Sequence, residues 1–319
     1  MNFKGKSILS AAQFSKREIE RILEVAAKME PFARKEKTSD LLKGKVLATL
    51  FFEPSTRTRF SFETAMLRLG GKVISNAMMN ETSSVKKRET LYDTGRVVSA
   101  FADVIAMRHP VAGSVAELAK GAIVPVLNAG DGPADHPTQG LLDLFTIHKA
   151  FGHFGGLTYG LVGDLKNSRV VHAQCQLLKH FGPTDFKPAF ICVAPRGLEL
   201  PATIKKELKE MGCSIRETDN LEKVIGEMDV LSNTRIQEER FATKKEYEKF
   251  RGAYSISREL MKKAKKKMIV IDPLPRVDDQ LKTEVDADPR AKYFEQVTNG
   301  VAVRMALMAL VLGKEILNE

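Results

Sequence analysis

Cysteine is scarce in this chain, and no stretch of it stays apolar for long. The three cysteines, Cys175, Cys192 and Cys213, stand far apart with no CxxC pair. They are expected as buried free thiols rather than as bridges or redox centres. No run approaches the ~20 apolar residues needed to cross a bilayer, and the first residues lack the basic start and apolar core of a secretory signal. A cytoplasmic protein is therefore expected. Familiar catalytic signatures are missing too. There is no GxxxxGK[ST], which argues against a P-loop, and YGLVGDL lacks the GxGxxG of a dinucleotide fingerprint. The histidines show neither HExxH spacing nor cysteine partners, and there is no GxSxG elbow. Neither a metal nor a cofactor is expected, so the chemistry must rest on hydrogen-bond donors and positive charge.

What the chain does have is length and basic charge. Its 319 residues exceed the usual single domain, and two domains of roughly 150 residues are expected. The formal charge of +10 raises the question of nucleic acid, but the bases are scattered among acids. The densest run, KKAKKK at 262–267, sits between a helical pattern and an apolar strand and reads as a solvated helix end. Small anionic substrates are the alternative use of that charge.

The chain opens with SKREIERILEVAAKM, where Ser15 and Glu18 form a capping box and Ile19, Ile22, Leu23 and Ala26 share one helical face. Strands and helices then alternate. Strands are expected at 46–52, 72–75, 104–107, 123–127, 158–162, 190–194, 230–231 and 268–271. This pattern implies an α/β fold of two domains, each a parallel sheet flanked by helices. The glycine-rich FGHFGG at 151–156 marks the expected boundary. Near the end VAVRMALMALVL is apolar nearly all round, so the C-terminal helix, within 293–319, is expected to be buried against the first domain.

Ligands of open parallel sheets bind beyond the carboxyl ends of the strands, and the polar residues gather there. In FFEPSTRTRFSFETAMLRLGG a strand runs into Ser55, Thr56, Arg57, Thr58 and Arg59, after which Phe62, Met66 and Leu69 recur at helical spacing. The first turn of such a helix favours phosphate through its unpaired N–H groups and partial positive charge. Taken alone, the cluster also fits an ordinary helix cap beside surface arginines. Arg108 and His109, His136 and Gln139, Arg169, and Arg235 follow other strands. Five such loops facing a cleft between the two domains would suit a compact polyanion. A site of this kind can catalyse group transfer by holding two substrates together and stabilising charge on oxygen.

PSTRTRFSFE, MRHP, DHPTQGLLDLF, GDLKNSRVVH, TRIQEER and DPLPRVDD, in this order and nearly from end to end, resemble the aspartate/ornithine carbamoyltransferase family, most of all its aspartate-specific catalytic chains. The resemblance implies transfer of the carbamoyl group of carbamoyl phosphate to L-aspartate, giving N-carbamoyl-L-aspartate and phosphate in de novo pyrimidine biosynthesis. It assigns residues 1–150, with 293–319 packed back, to carbamoyl phosphate and residues 151–292 to aspartate. Ser55, Thr56, Arg57 and Thr58 would bind the phosphate. Thr58, Arg108 and His136 would face the carbonyl oxygen, and Gln139 the carbamoyl amino group. Arg169, Arg235 and Gln237 would grip the aspartate carboxylates, with the backbone of Leu274 and Pro275 closing the pocket. Ser83 or Ser84 and Lys87 would enter from a neighbouring subunit, making a homotrimer the smallest active unit and leaving a regulatory chain open.

The charges are in keeping with this: the substrates bring about four negative charges, met by Arg57, Lys87, Arg108, Arg169 and Arg235. Three places depart from the family pattern. Asp272 stands where histidine is usual, Arg88 where glycine is usual, and Ser232-Asn233 where the family is more apolar. Arg59 is expected to pair with an acid near Glu53, His109 to serve a turn, and Asp164 to organise its loop. The rival readings are carbamoyl transfer to another amine such as ornithine, and a basic binding protein that has lost catalysis.

Overall fold

The computed structural model of the chain describes residues 2–83, 87–181, 187–238, 241–277 and 279–314. Two units result, Met1–Phe145 with Val297–Glu319, and Thr146–Gln296. The chain passes from the first to the second inside helix Pro137–Phe151 and returns inside helix Tyr293–Val311.

In the first unit four parallel strands run in the order β2-β1-β3-β4: β1 Val46–Phe51, β2 Lys72–Asn76, β3 Val104–His109 and β4 Val126–Asp131. The central strand VLATLF is buried from its second residue on, as expected where both faces of a parallel sheet are covered. Leu50, Phe52, Ile105, Met107 and Val126 pack with Val115 and Leu118 of helix Ser114–Gly121. Each such side chain contributes about 1.5–3 kcal/mol on burial. The fourth strand lies further along than the expected 123–127. Pro125 has no N–H to give a ladder, and Ile123 is 67% exposed.

The second unit holds five parallel strands in the order β7-β6-β5-β8-β9: β5 Thr158–Gly163, β6 Ala189–Val193, β7 Ser214–Thr218, β8 Val230–Thr234 and β9 Ile269–Ile271. Val162, Ile191, Val193, Leu231 and Val270 form its core with Met228, Met261 and Tyr293. The edge strand β7, SIRET, was not expected. Its mostly open side chains carry no continuous apolar run.

The capping box at Ser15 is present, with Ser15 accepting from the Glu18 N–H and Glu18 closing back on it. Val301 to Val311 are buried around the whole helix circumference, as the sequence pattern predicts. The three cysteines are free and buried, and burial pushes their thiols up. Among the described residues no helix is long and apolar enough to cross a membrane.

Candidate active site

Each sheet reverses its winding direction once, and Arg57, Arg108, Arg169 and Arg235 stand at or just beyond the ends of the strands that flank those two points. In the first unit the reversal falls between β1 and β3, which are paired as far as Phe51 and Arg108. Phe52 N–H donates to the Arg108 carbonyl at 2.9 Å, holding the two strand ends together. Beyond β1 the chain turns into helix Thr56–Arg68, whose buried face carries Phe62, Ala65 and Met66. Ser55 occupies the N-cap position, yet its side chain makes no cap hydrogen bond. A serine that only caps its helix would make one. Thr56 and Arg57 are exposed, whereas Thr58 is buried.

Arg108 lies on the neighbouring strand end. Its Nε donates to Glu53 Oε1 at 2.7 Å. Burial pulls the guanidinium below its ordinary value, Glu53 pulls it back up, and the charge of Arg57 pushes it down again. Two cations that feel each other's charge, together with the one carboxylate of Glu53, sum to net positive charge that suits an anion. Glu53 was not read as a member of this set. Its distance from Arg108 along the chain gives no local signal.

His136 and Gln139 come after β4, at the start of helix Pro137–Phe151. His136 is buried, and its backbone N–H donates to Asp135 Oδ1 at 2.7 Å. The other Asp135 oxygen accepts from Ser10 Oγ and the Ala11 N–H, so the turn is tied to the N-terminal segment. Burial nevertheless raises the Asp135 carboxyl above its usual value. Gln139 N–H donates to the His136 carbonyl at 2.9 Å, and its side-chain Nε2 donates to Asp143 Oδ1 at 2.9 Å.

In the second unit the reversal falls between β5 and β8, whose last pair is Gly163 and Thr234. A Cβ on Gly163 would lie 1.9 Å from the Thr234 carbonyl oxygen, and its φ is +116°, so only glycine allows this approach. Arg169 opens helix Arg169–Leu178 just beyond β5, and Arg235 follows β8 directly. Ser168 Oγ and Thr234 Oγ1, each next to one of these arginines, are hydrogen-bonded at 3.0 Å. Gln237 Nε2 donates to the Asn167 carbonyl at 3.2 Å. Asp164 accepts from the Asn167 backbone and side chain, which fits a loop organiser, and burial raises its carboxyl.

Two of the departures, Asn233 and Asp272, are paired with each other. Asn233 Nδ2 donates to Asp272 Oδ2 at 2.6 Å, and Leu274 N–H donates to Asp272 Oδ1 at 2.5 Å. Ser232 Oγ donates to Gln174 Oε1. The acid is thus held by donors and orders the backbone at Leu274, which has φ +57°; Pro275 follows, exposed. Arg88 adopts φ +71°, a conformation glycine takes without strain.

Not every candidate is drawn in. Lys87 is exposed, and Ser83 Oγ donates to the Met79 carbonyl. Ser84 lies outside the described residues. Arg59 approaches Glu63 at 3.9 Å and Ser75 at 3.4 Å, so its acid is one helical turn on and not near Glu53. His109 serves its turn, with Nδ1 accepting from the Val111 N–H. Among the described residues no group of three or more His, Cys, Asp or Glu could hold a metal ion.

Comparison with known proteins matches this arrangement at full length. Residues 6–149 match the aspartate/ornithine carbamoyltransferase carbamoyl-P binding domain, and residues 155–311 match the Asp/Orn binding domain of the same family. The aspartate carbamoyltransferase catalytic subunit of Thermococcus gammatolerans is 48% identical over 313 residues, 98% of this chain and 99% of that protein. The corresponding subunit of Methanosarcina barkeri is 46% identical with the same coverage. Aspartate transcarbamoylase of Trypanosoma cruzi, solved with carbamoyl phosphate and aspartate, superposes with a TM-score of 0.89 at 41% identity. That match covers 97% of this chain and 98% of the other. The catalytic subunit of M. Jannaschii aspartate transcarbamoylase gives 0.88 at 44% identity, with the same coverage.

Proposed function

Because this chain belongs to the aspartate/ornithine carbamoyltransferase family, we propose the following division of labour among its residues. The chain is an enzyme. It transfers the carbamoyl group of carbamoyl phosphate to the amino group of L-aspartate, giving N-carbamoyl-L-aspartate and phosphate in pyrimidine biosynthesis. The first unit binds carbamoyl phosphate and the second binds aspartate.

Ser55, Thr56, Arg57 and Thr58 take the phosphate through the open first turn of their helix. Arg108, His136 and Thr58 direct donors at the carbonyl oxygen, which becomes negative as the amine attacks, and Gln139 holds the carbamoyl amino group. Arg169, Arg235 and Gln237 grip the two carboxylates of aspartate, guanidinium forks matching carboxylates in pairs. The backbone at Leu274 and Pro275 completes that pocket. In the reaction the amine nitrogen bonds to the carbonyl carbon, the carbon–oxygen bond to phosphate breaks, and the departing phosphate takes the surplus proton from nitrogen. Electrostatic stabilisation of the oxyanion does most of the work, each donor being worth about 3–4 kcal/mol. A neighbouring subunit supplies Lys87, with Ser83 or Ser84, so that a homotrimer is the smallest active unit.

The observation that supports this reading best is the placing of Arg57, Arg108, Arg169 and Arg235 at the winding reversals of the two sheets, where open α/β sheets bind ligands. An acceptor test decides the substrate. Purified protein given carbamoyl phosphate is expected to release phosphate with aspartate and not with ornithine. The reverse preference would overturn the assignment of Arg169 and Arg235 to carboxylates. Ornithine has little support from Asp272, whose two oxygens already accept from Asn233 and the Leu274 N–H.

A further inference from the structure

The reading just given makes Gln139 the partner of the carbamoyl amino group, and it leaves open what turns the right end of that amide toward it. A carboxamide has a donor end and an acceptor end of nearly the same shape. Only the acceptor end, Oε1, can receive a hydrogen bond from a carbamoyl NH2. The choice is made one helical turn further on. Asp143, wholly buried, takes the Gln139 Nε2 donor on its Oδ1 at 2.9 Å. An ionised carboxylate has acceptors only, so it must draw the NH2 end and leave Oε1 on the opposite side of the amide carbon. A neutral carboxyl would have an O–H to donate and would allow the amide to flip.

A wholly buried carboxylate is held ionised by hydrogen-bond donors and by nearby positive charge. Arg304, buried in helix Tyr293–Val311, is a cation near enough for the charge of Asp143 to act on it. Its Nη1 donates to Ser61 Oγ at 2.9 Å and to the Gly300 carbonyl at 3.2 Å, and its Nη2 donates to Thr138 Oγ1 at 3.2 Å. The guanidinium stacks on Phe62 at 4.9 Å. Ser61 and Phe62 belong to the helix that starts at the proposed phosphate site, and Thr138 is the residue before Gln139. Burial pulls Arg304 down to about 9, which still leaves it a cation at neutral pH, while the charge of Asp143 acts on it in the opposite direction.

We infer that Asp143 and Arg304 are positioning residues that set which end of the Gln139 amide meets the acyl donor, and so make the site select a carbamoyl group over an acyl group of the same shape. The inference rests on the reading of Gln139 given above. Acetyl phosphate is the discriminating probe, because it replaces the NH2 by a methyl and keeps the carbonyl and phosphate.

The test compares kcat/KM for carbamoyl phosphate with kcat/KM for acetyl phosphate, aspartate being the acceptor for both. Wild type is expected to favour carbamoyl phosphate. In Asp143→Asn the amide can take either orientation, and the ratio is expected to fall on the order of tenfold, the worth of one hydrogen bond. Most of the fall should lie in the carbamoyl phosphate value. Since Asp143→Asn strands a buried cation, the double variant Asp143→Asn/Arg304→Met, which strands none, carries the test if the single variant does not fold. In a Gln139→Ala background, Asp143→Asn should not change the ratio further. A loss of activity equal for both donors would mean a merely structural role and would overturn the inference, as would an unchanged ratio. Absence of aspartate-dependent turnover in wild type would instead remove the functional reading on which the inference stands.

Discussion

Arg108 and His109 are neighbours at the end of β3 with opposite uses. The first is held by Glu53 beside the phosphate helix, and the second turns its ring onto Phe52, with centroids 4.6 Å apart. Because Nδ1 of His109 accepts from the Val111 N–H, the neutral ring carries its proton on Nε2. Burial holds the imidazole below its ordinary value of 6.5, although Asp131 and Glu53 pull upward. Between the folded value and 6.5 the unfolded chain therefore binds a proton that the folded chain refuses. Stability is complete above that window and is lost as pH falls through it. His180, also lowered by burial, acts in the same sense. His109→Asn keeps an acceptor for Val111 at the Nδ1 position and cannot titrate. Its thermal midpoint is expected to fall less than wild type between about pH 7 and about pH 5, as read by circular dichroism melts. Equal slopes for the two proteins would show that the ring does not titrate there. The residues proposed to touch substrates could be singled out in the sequence because they come in short motifs after strands. Their supports could not. Arg304 reaches Ser61 across 243 positions, and Glu53 was seen only as a neighbour of Arg59. Gln139 and Asp143 did carry a local sign, a Gln–Asp pair at i, i+4 on a helix. A lone arginine in an apolar helix was another.

Strands and helices were legible where burial imposes a continuous apolar run, as in β1 and the last helix, and illegible where it does not. The edge strand β7 is polar and mostly open, and the start of β4 was misplaced because Ile123 is apolar but exposed. Apolar character alone does not locate a strand when proline removes a ladder donor. The same burial makes the helix Tyr293–Val311 sensitive at a position that looks permissive. Gly300 lies one turn before Arg304, and a Cβ there would stand 2.7 Å from Arg304 Nη1 and 3.0 Å from Leu142 Cδ2. Alanine would usually strengthen a helix by up to about 1 kcal/mol. Here it must displace the guanidinium or Leu142, and overpacking costs about 1–3 kcal/mol. Gly300→Ala is thus expected to lower the denaturation midpoint in urea and to reduce turnover. A midpoint raised above wild type would mean that Arg304 has room to move.

At the scale of the whole molecule the four arginines of the motifs stand at or just beyond strand ends, and the lysine does not. Arg57 and Arg108 act on each other, and Arg169 and Arg235 stand at a common sheet reversal, whereas Lys87 is exposed with Ser83 turned to its own helix. A lysine used by a neighbouring copy would be exposed in the single chain, as Lys87 is. The proposal of shared sites in a trimer therefore has a quantitative consequence. His136→Ala removes a donor from a site's own chain, and Lys87→Ala removes the lysine that the chain lends, so each variant alone is expected to be nearly inactive. When the two are dissociated, mixed equally and reassociated, a complete site needs the Lys87→Ala chain as host and the His136→Ala chain as lender. Random assembly in a closed ring meets that condition at about one site in four, and activity should recover to about a quarter of wild type. A dimer exchanging lysines would give the same fraction, so the mass of the mixture must be measured by light scattering and correspond to three chains. Recovery no greater than the sum of the two parents would mean that each chain completes its own site, and Lys87 would lose its role.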